Sequence, residues 1–162
     1  MNADDFRQLY QYHFTINHKI WTECVVPLTQ EQFIKKADYS IGSVRNQVVH
    51  MLNIDDRWFS GLRGEEVPPF LDPELFLTRE EVRQMWDSVE DKMLAYLENL
   101  HDDDLHKPLL SDPTDDSMKI WQVLIHVVNH GTDHRAQLLS ILNQLGVQTF
   151  PQDFVFFLWG KM

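Results

Sequence analysis

Residues 120–146 read IWQVLIHVVNHGTDHRAQLLSILNQLG. Ile120, Trp121, Leu124, Val127, Val128, Leu138, Leu142 and Leu145 fall mostly at three- and four-residue steps within it. Side chains so spaced share one face of an α-helix, so the stretch is predicted to be a long amphipathic helix. Asp115, Asp116 or Ser117 offers an N-cap, and Gly146 a left-handed stop.

Three more helices precede it. The first is predicted from about Asp4 to Val26, with Phe6, Leu9, Tyr10, Phe14 and Ile20 near helical spacing and Pro27 just past its end. Thr29 and Gln32 then form a capping box for a short turn. The second helix begins after Ser40 or Ser43. Val44, Val48, Met51, Leu52, Asp55 and Phe59 make its inner stripe, and Gly61 and Gly64 end it. Residues 62–77, with Pro68, Pro69 and Pro73, are long enough to cross from one end of a bundle to the other. The third helix opens on the Thr78 and Glu81 capping box and fills one face with Val82, Met85, Trp86, Val89, Met93, Tyr96, Leu97 and Leu100. Residues 101–116, broken by Pro108 and Pro113, form an acidic loop. The aromatic tail from Phe150 to Trp159 must dock on the bundle or on a second subunit. No alternating stretch carries a hairpin turn. The predicted fold class is therefore all-α, a four-helix bundle.

The chain has 162 residues, 43% of them hydrophobic, which suits one domain spanning 1–162 with a proper core. A net charge of −11 repels phosphate backbones and anionic lipid heads, so neither nucleic acid nor a membrane is an expected partner. Cys24 is the single cysteine, so no disulfide forms within the chain, and it is read as a small packed hydrophobe. The start, Met1-Asn2-Ala3-Asp4-Asp5, has no signal-peptide character, and no apolar run approaches the ~20 residues that span a bilayer. A cytoplasmic protein is expected.

The same 120–146 stretch carries His126, His130 and His134. Imidazoles four apart on a helix can reach one metal, and the spacing offers two such pairs, His126/His130 and His130/His134. A third ligand must come from another helix. His50 is the best candidate, because it lies mid-helix, off the core stripe, on the side of Gln47 and Ile54. Three imidazoles leave coordination positions open, as catalytic sites do. Gly131 costs about 1 kcal/mol against Ala in a helix interior, so it is read as making room for a close contact or for the site. His13, His18, His101 and His106 are read as surface or boundary residues. Arg135 is read as binding an anionic group or pairing with a carboxylate.

Two phrases now carry a resemblance. One is Ile41-Gly42-Ser43-Val44, His50-Met51-Leu52, Asp55, Trp58 and Gly61 to Gly64. The other is His126-Val127-Val128-Asn129-His130, His134-Arg135-Ala136-Gln137-Leu138 and Gly146. With Pro151, Asp153 and Phe154 in the tail, they resemble the DinB/YfiT-like family over nearly the whole chain. The resemblance implies an up-down-down-up bundle whose metal is held by His50, His130 and His134, with His126 beside the site. The chain departs from the family pattern at Asp133 and Ala136. Neither is a ligand position, so these departures bear on pocket shape. Dimers are common in such proteins, so a homodimer is expected.

Imidazole ligands suit a divalent ion, with Zn or Ni preferred and Fe or Mn also compatible. Some members of the family are thiol-dependent transferases. The reading is thus a metal-dependent transferase or hydrolase acting on a small molecule, with a low-molecular-weight thiol as cosubstrate. Arg135 and Arg57 are candidates for binding its carboxylates. The alternative is a non-catalytic metal-binding stress-response protein. No general acid or base can be named.

Overall fold

The computed structural model describes residues 1–109 and 118–161. They build an all-helical fold with four long helices, α1 (Ala3–Ile20), α3 (Val44–Leu62), α4 (Arg79–Glu98) and α5 (Ile120–Gln144). Two short helices, α2 (Gln30–Ile34) and α6 (Phe154–Leu158), complete it. Among the described residues, extended pairing is limited to an isolated bridge between Pro108 and Lys119. No described helix is long and apolar enough to cross a membrane.

The helix ends follow side-chain chemistry. Thr29 with Gln32, and Thr78 with Glu81, form the two expected capping boxes. Asn2 and Asp5 form a third, which starts α1 at Ala3. α1 continues into a π-helical turn, Trp21–Val25, before Pro27 stops the chain from winding further. Ser43 caps α3 by accepting the Asn46 N–H at 3.0 Å. Ser40 instead lies in the left-handed region at φ 53°. Gly61 lies within α3, and Gly64, at φ 70°, follows its end. Gly146 takes the same conformation after α5, at φ 83°. The caps expected at Asp115, Asp116 or Ser117 fall outside the described residues, as does Pro113. In the structure α5 starts after Lys119, whose N–H donates to Gln122 Oε1 at 2.7 Å.

α1 and α3 each pack on both α4 and α5. Arg7, near the start of α1, donates to the carbonyls of Leu97, in the last turn of α4, and Leu100, just past its end, at 2.7 and 3.0 Å. Arg79, at the start of α4, reaches the carbonyls of Val25, Val26 and Leu28. α1 and α4 are therefore antiparallel. Tyr10 bonds the Leu124 carbonyl and Asn17 bonds Arg135, so α1 and α5 run in the same sense. α3 and α5 are antiparallel neighbours, with Gln47 beside His134 and His50 beside His130.

The apolar stripes meet in one core that includes Phe6, Tyr10, Phe33, Phe59, Trp86 and Leu124. Two stripe residues miss it: Met85 and Trp121 are 39% and 38% exposed. Each adjoins a buried residue, Trp86 or Ile120, and adjacent helical positions point about 100° apart. The tail docks on the bundle through Phe154 and Phe157, whose rings lie 5.1 and 5.8 Å from that of Tyr12. Val155, Leu158 and Trp159 face outward.

Candidate metal centre

The antiparallel pairing of α3 and α5 brings His50 against the two-turn run on α5. The rings of His130 and His134 each approach that of His50, at centroid distances of 5.0 and 4.3 Å, and lie 4.3 Å from each other. One nitrogen from each of the three falls within 4.8 Å of the others, and the Nε2 atoms of His50 and His130 are 3.1 Å apart. Two nitrogens held about 2.0–2.1 Å from a tetrahedral ion would lie roughly 3.3 Å apart, so this spacing is of the right order. All three rings are half-buried.

Their electrostatics also suit a cation. Burial lowers the pKa of all three, and the neighbouring imidazoles add to the effect on His50 and His130. His130 is brought down to about 4. The rings are therefore neutral near pH 7, the form in which imidazole offers a lone pair. His134 Nδ1–H donates to Gln47 Oε1 at 3.0 Å, which leaves its Nε2 as the free acceptor. The Gln47 amide in turn donates to Ser40 Oγ at 2.7 Å and to Gln137 Oε1 at 3.2 Å. Ser40 Oγ–H donates to Gln137 Oε1, and Gln137 donates to Asp133 at 2.9 Å. The donor set thus fits a divalent ion: three neutral imidazoles, one of them oriented by a bonded amide.

Gln47 was placed on the right side of its helix by the sequence, but its role was not legible. Its signal is its position one turn before His50. Ser40 gives no such signal, because only its left-handed backbone brings its hydroxyl to Gln47. His126 is exposed, with its ring 6.0 Å from that of His130 and 5.1 Å from Trp58. Asp133 and Ala136, the departures from the family pattern, are both exposed. Two larger hollows, about 600 and 640 Å³, lie elsewhere, and none of His50, His130 and His134 lines them.

Two expectations need correction. His13 is buried, at 1% exposure, whereas sequence reading placed it at the surface or its boundary. Arg135 is fully buried, and among the described residues no carboxylate pairs with it directly. It donates to His13 Nδ1, Asn17 Oδ1, Thr132 Oγ1 and Gln152 Oε1 at 2.9–3.1 Å. A guanidinium only donates, so His13 Nδ1 must accept and Nε2 carries the proton. That Nε2 faces Asp55 Oδ2 at 3.7 Å, and neither atom has a hydrogen-bond partner. Arg135, His13 and Asp55 thus form a buried array in which the imidazole stands between opposite charges. Gly131 makes the array possible. A Cβ there would lie 2.5 Å from His13 Cε1 and 3.1 Å from Arg135 Nη1. His18, His101 and His106 are not buried, as read from the sequence, and Cys24 packs in the core.

The sequence profile of the DinB family matches residues 1–161. The chain belongs to the DinB family. Protein DinB of Bacillus subtilis (strain 168) is 26% identical over 160 residues, covering 94% of this chain and 92% of that one. The crystal structure of a DinB family member from Shewanella denitrificans matches with a TM-score of 0.55 at 19% identity. That match covers 94% of this chain and 86% of the other, and it bears on the fold.

Proposed function

We propose that this DinB family chain is a metal-dependent enzyme that joins a small-molecule thiol to an electrophile. The observation that carries the reading is the convergence of His50, His130 and His134 from two helices, with one nitrogen of each within 4.8 Å of the others. Among the described residues this group contains no fourth ligand, which favours an open catalytic site over a closed structural one. A divalent ion held there, Zn or Ni by preference, would act as a Lewis acid and lower the pKa of a coordinated thiol or water toward neutrality. The chain's own part is orientation. Gln47 holds His134 in one tautomer, and Ser40 and Gln137 hold Gln47. In the transfer the thiol sulfur forms a bond to carbon, the leaving group departs with the bond pair, and the thiol proton passes to water. Hydrolysis is the runner-up chemistry of the same site.

Metal analysis and a conjugation assay test this together. Protein loaded with Zn or Ni should bind one ion and couple a thiol to a chloronitrobenzene. Chelation and His134→Ala should each abolish both properties. Cleavage of an ester panel in place of thiol transfer would move the assignment to hydrolase. Full metal content in His50→Ala or His134→Ala would overturn the site itself.

A further inference from the structure

Five side chains form one continuous hydrogen-bonded chain beside the histidines, and the chain has a direction. His134 Nδ1 lies 3.0 Å from Gln47 Oε1. Gln47 donates to Ser40 Oγ at 2.7 Å and, in parallel, to Gln137 Oε1 at 3.2 Å. Ser40 donates to Gln137 Oε1, and Gln137 donates to Asp133 Oδ2 at 2.9 Å. Asp133 and Gln137 are four residues apart on α5, a spacing at which such a pair meets on the helix surface. Every donor therefore points away from His134 and toward the Asp133 carboxylate.

Four of the five groups could run the other way. A carboxamide turned by half a revolution exchanges its acceptor for its donors, a hydroxyl rotates, and a neutral imidazole carries its proton on either nitrogen. Only an ionised carboxylate has a fixed sense, because it accepts and never donates. In the reversed chain Gln47 would donate to His134 Nδ1, and the ring proton would move to Nε2, the nitrogen left free for an ion in the observed arrangement. The Gln47 oxygen would then take the place that now faces Gln137 Oε1 at 3.2 Å, so Gln137 would have to turn its amide toward it. That turn sets the Gln137 oxygen against Asp133 Oδ2, two acceptors at a hydrogen-bond distance of 2.9 Å. Gln47 is fully buried, so its amide must find its partners within the protein.

We infer that Asp133 sets the polarity of this chain and so holds His134 in the tautomer that presents a free Nε2. Asp133 is a positioning residue: it is exposed and acts through Gln137 and Gln47. This rests on the metal-dependent reading above, and it adds what keeps the ligand set ready for an ion. Asp133 also favours positive charge at His130 and His134 through space, and the experiment separates the two effects.

The tautomer is read directly by NMR, in metal-free protein carrying isotope-labelled histidine, from long-range proton–nitrogen correlations at neutral pH. The parent should hold His134 as Nδ1–H. Asp133→Asn, whose side chain donates as well as accepts, should admit the Nε2–H form, and Asp133→Glu should not. Asp133→Ala serves if Asp133→Asn fails to fold. Adding Gln137→Glu to Asp133→Asn should restore the parent tautomer, because an acceptor-only group again faces Ser40 and Gln47. Apparent zinc affinity, measured by chelator competition, scales with the fraction of protein in the binding-competent form, so it should fall about two- to tenfold in Asp133→Asn and return in the double variant. An unchanged tautomer in Asp133→Asn overturns the inference, and a lower zinc affinity beside it would assign the effect to charge acting through space. A tautomer lost in Asp133→Asn but not restored by Gln137→Glu overturns it as well. A lost tautomer with unchanged zinc affinity would remove His134 Nε2 from the ligand set. If no zinc binds to the parent, the function proposed above fails, and the tautomer readings still decide the role of Asp133.

Discussion

Two clusters, one of three histidines and one built around the single histidine His13, lie back to back on the same two turns of α5, and they differ in almost every physical respect. His130 and His134 face α3 and meet His50, with all three rings half-buried and their nitrogens turned toward one another. On the opposite side, Gly131 and Arg135 face α1 and meet His13, which is buried. In the first cluster every ring is neutral near pH 7 and, among the described residues, no Lys or Arg side chain acts on them, so the cluster can accept a positive charge. In the second, Arg135 already supplies the positive charge and Asp55 the negative one. The lesson is that imidazole takes its role from what already compensates charge around it. An enclosed ring between a guanidinium and a carboxylate has its charge environment already filled, whereas grouped neutral rings without a counter-charge are suited to receive a cation.

The sharpest way to break this contrast is to remove the resident cation. Arg135→Leu strands Asp55 and the acceptors of His13, Asn17 and Gln152. It should cost about 3–5 kcal/mol, read by urea denaturation. A cost below ~1 kcal/mol would mean that the array is not charge-compensated as described.

Gly131→Ala probes the space between the clusters. The added methyl meets His13 Cε1 at 2.5 Å, so His13 or α1 must shift, at about 1–3 kcal/mol. Metal content should survive, because the ligand rings point to the other side of α5. Joint loss of stability and metal would show that the two clusters are coupled.

Gln47→Ala addresses the open cluster alone. Removing the acceptor of His134 Nδ1–H should weaken metal binding about 10- to 100-fold, measured by chelator competition. Metal-free stability should move far less than in Arg135→Leu.

A further probe is the pH response of the metal-free protein. The folded pKa of His130, about 4, lies below the ordinary 6.5 of the unfolded chain. Between these values the unfolded state binds protons that the folded state does not, so stability falls as pH drops through the window and recovers as it rises. His13, also lowered by burial, adds a slope of the same sign. Denaturation midpoints measured across this window should fall less steeply in His130→Ala than in the parent. Equal slopes would assign the acid sensitivity to the other lowered histidines, His13, His50 and His134.

Much of this molecule was legible before any coordinates. Helical spacing of apolar residues located the four long helices, because burial on one face imposes that period on any chain that packs helices together. The capping boxes at Thr29 and Thr78 are local chemistry and stand as written. The two His motifs identified which rings to watch, since four-residue spacing on a helix is itself a geometric statement. Tertiary structure decided the rest. It placed His50 against His130 and His134, buried His13, turned Arg135 inward and brought Ser40 to Gln47. Each of these depends on which helices become neighbours and at what register, a property of long-range packing that no local run of residues encodes. Whether a histidine is open to a metal or sealed beside an arginine is set by what stands opposite it, and that is the part of the chain the linear order does not reveal.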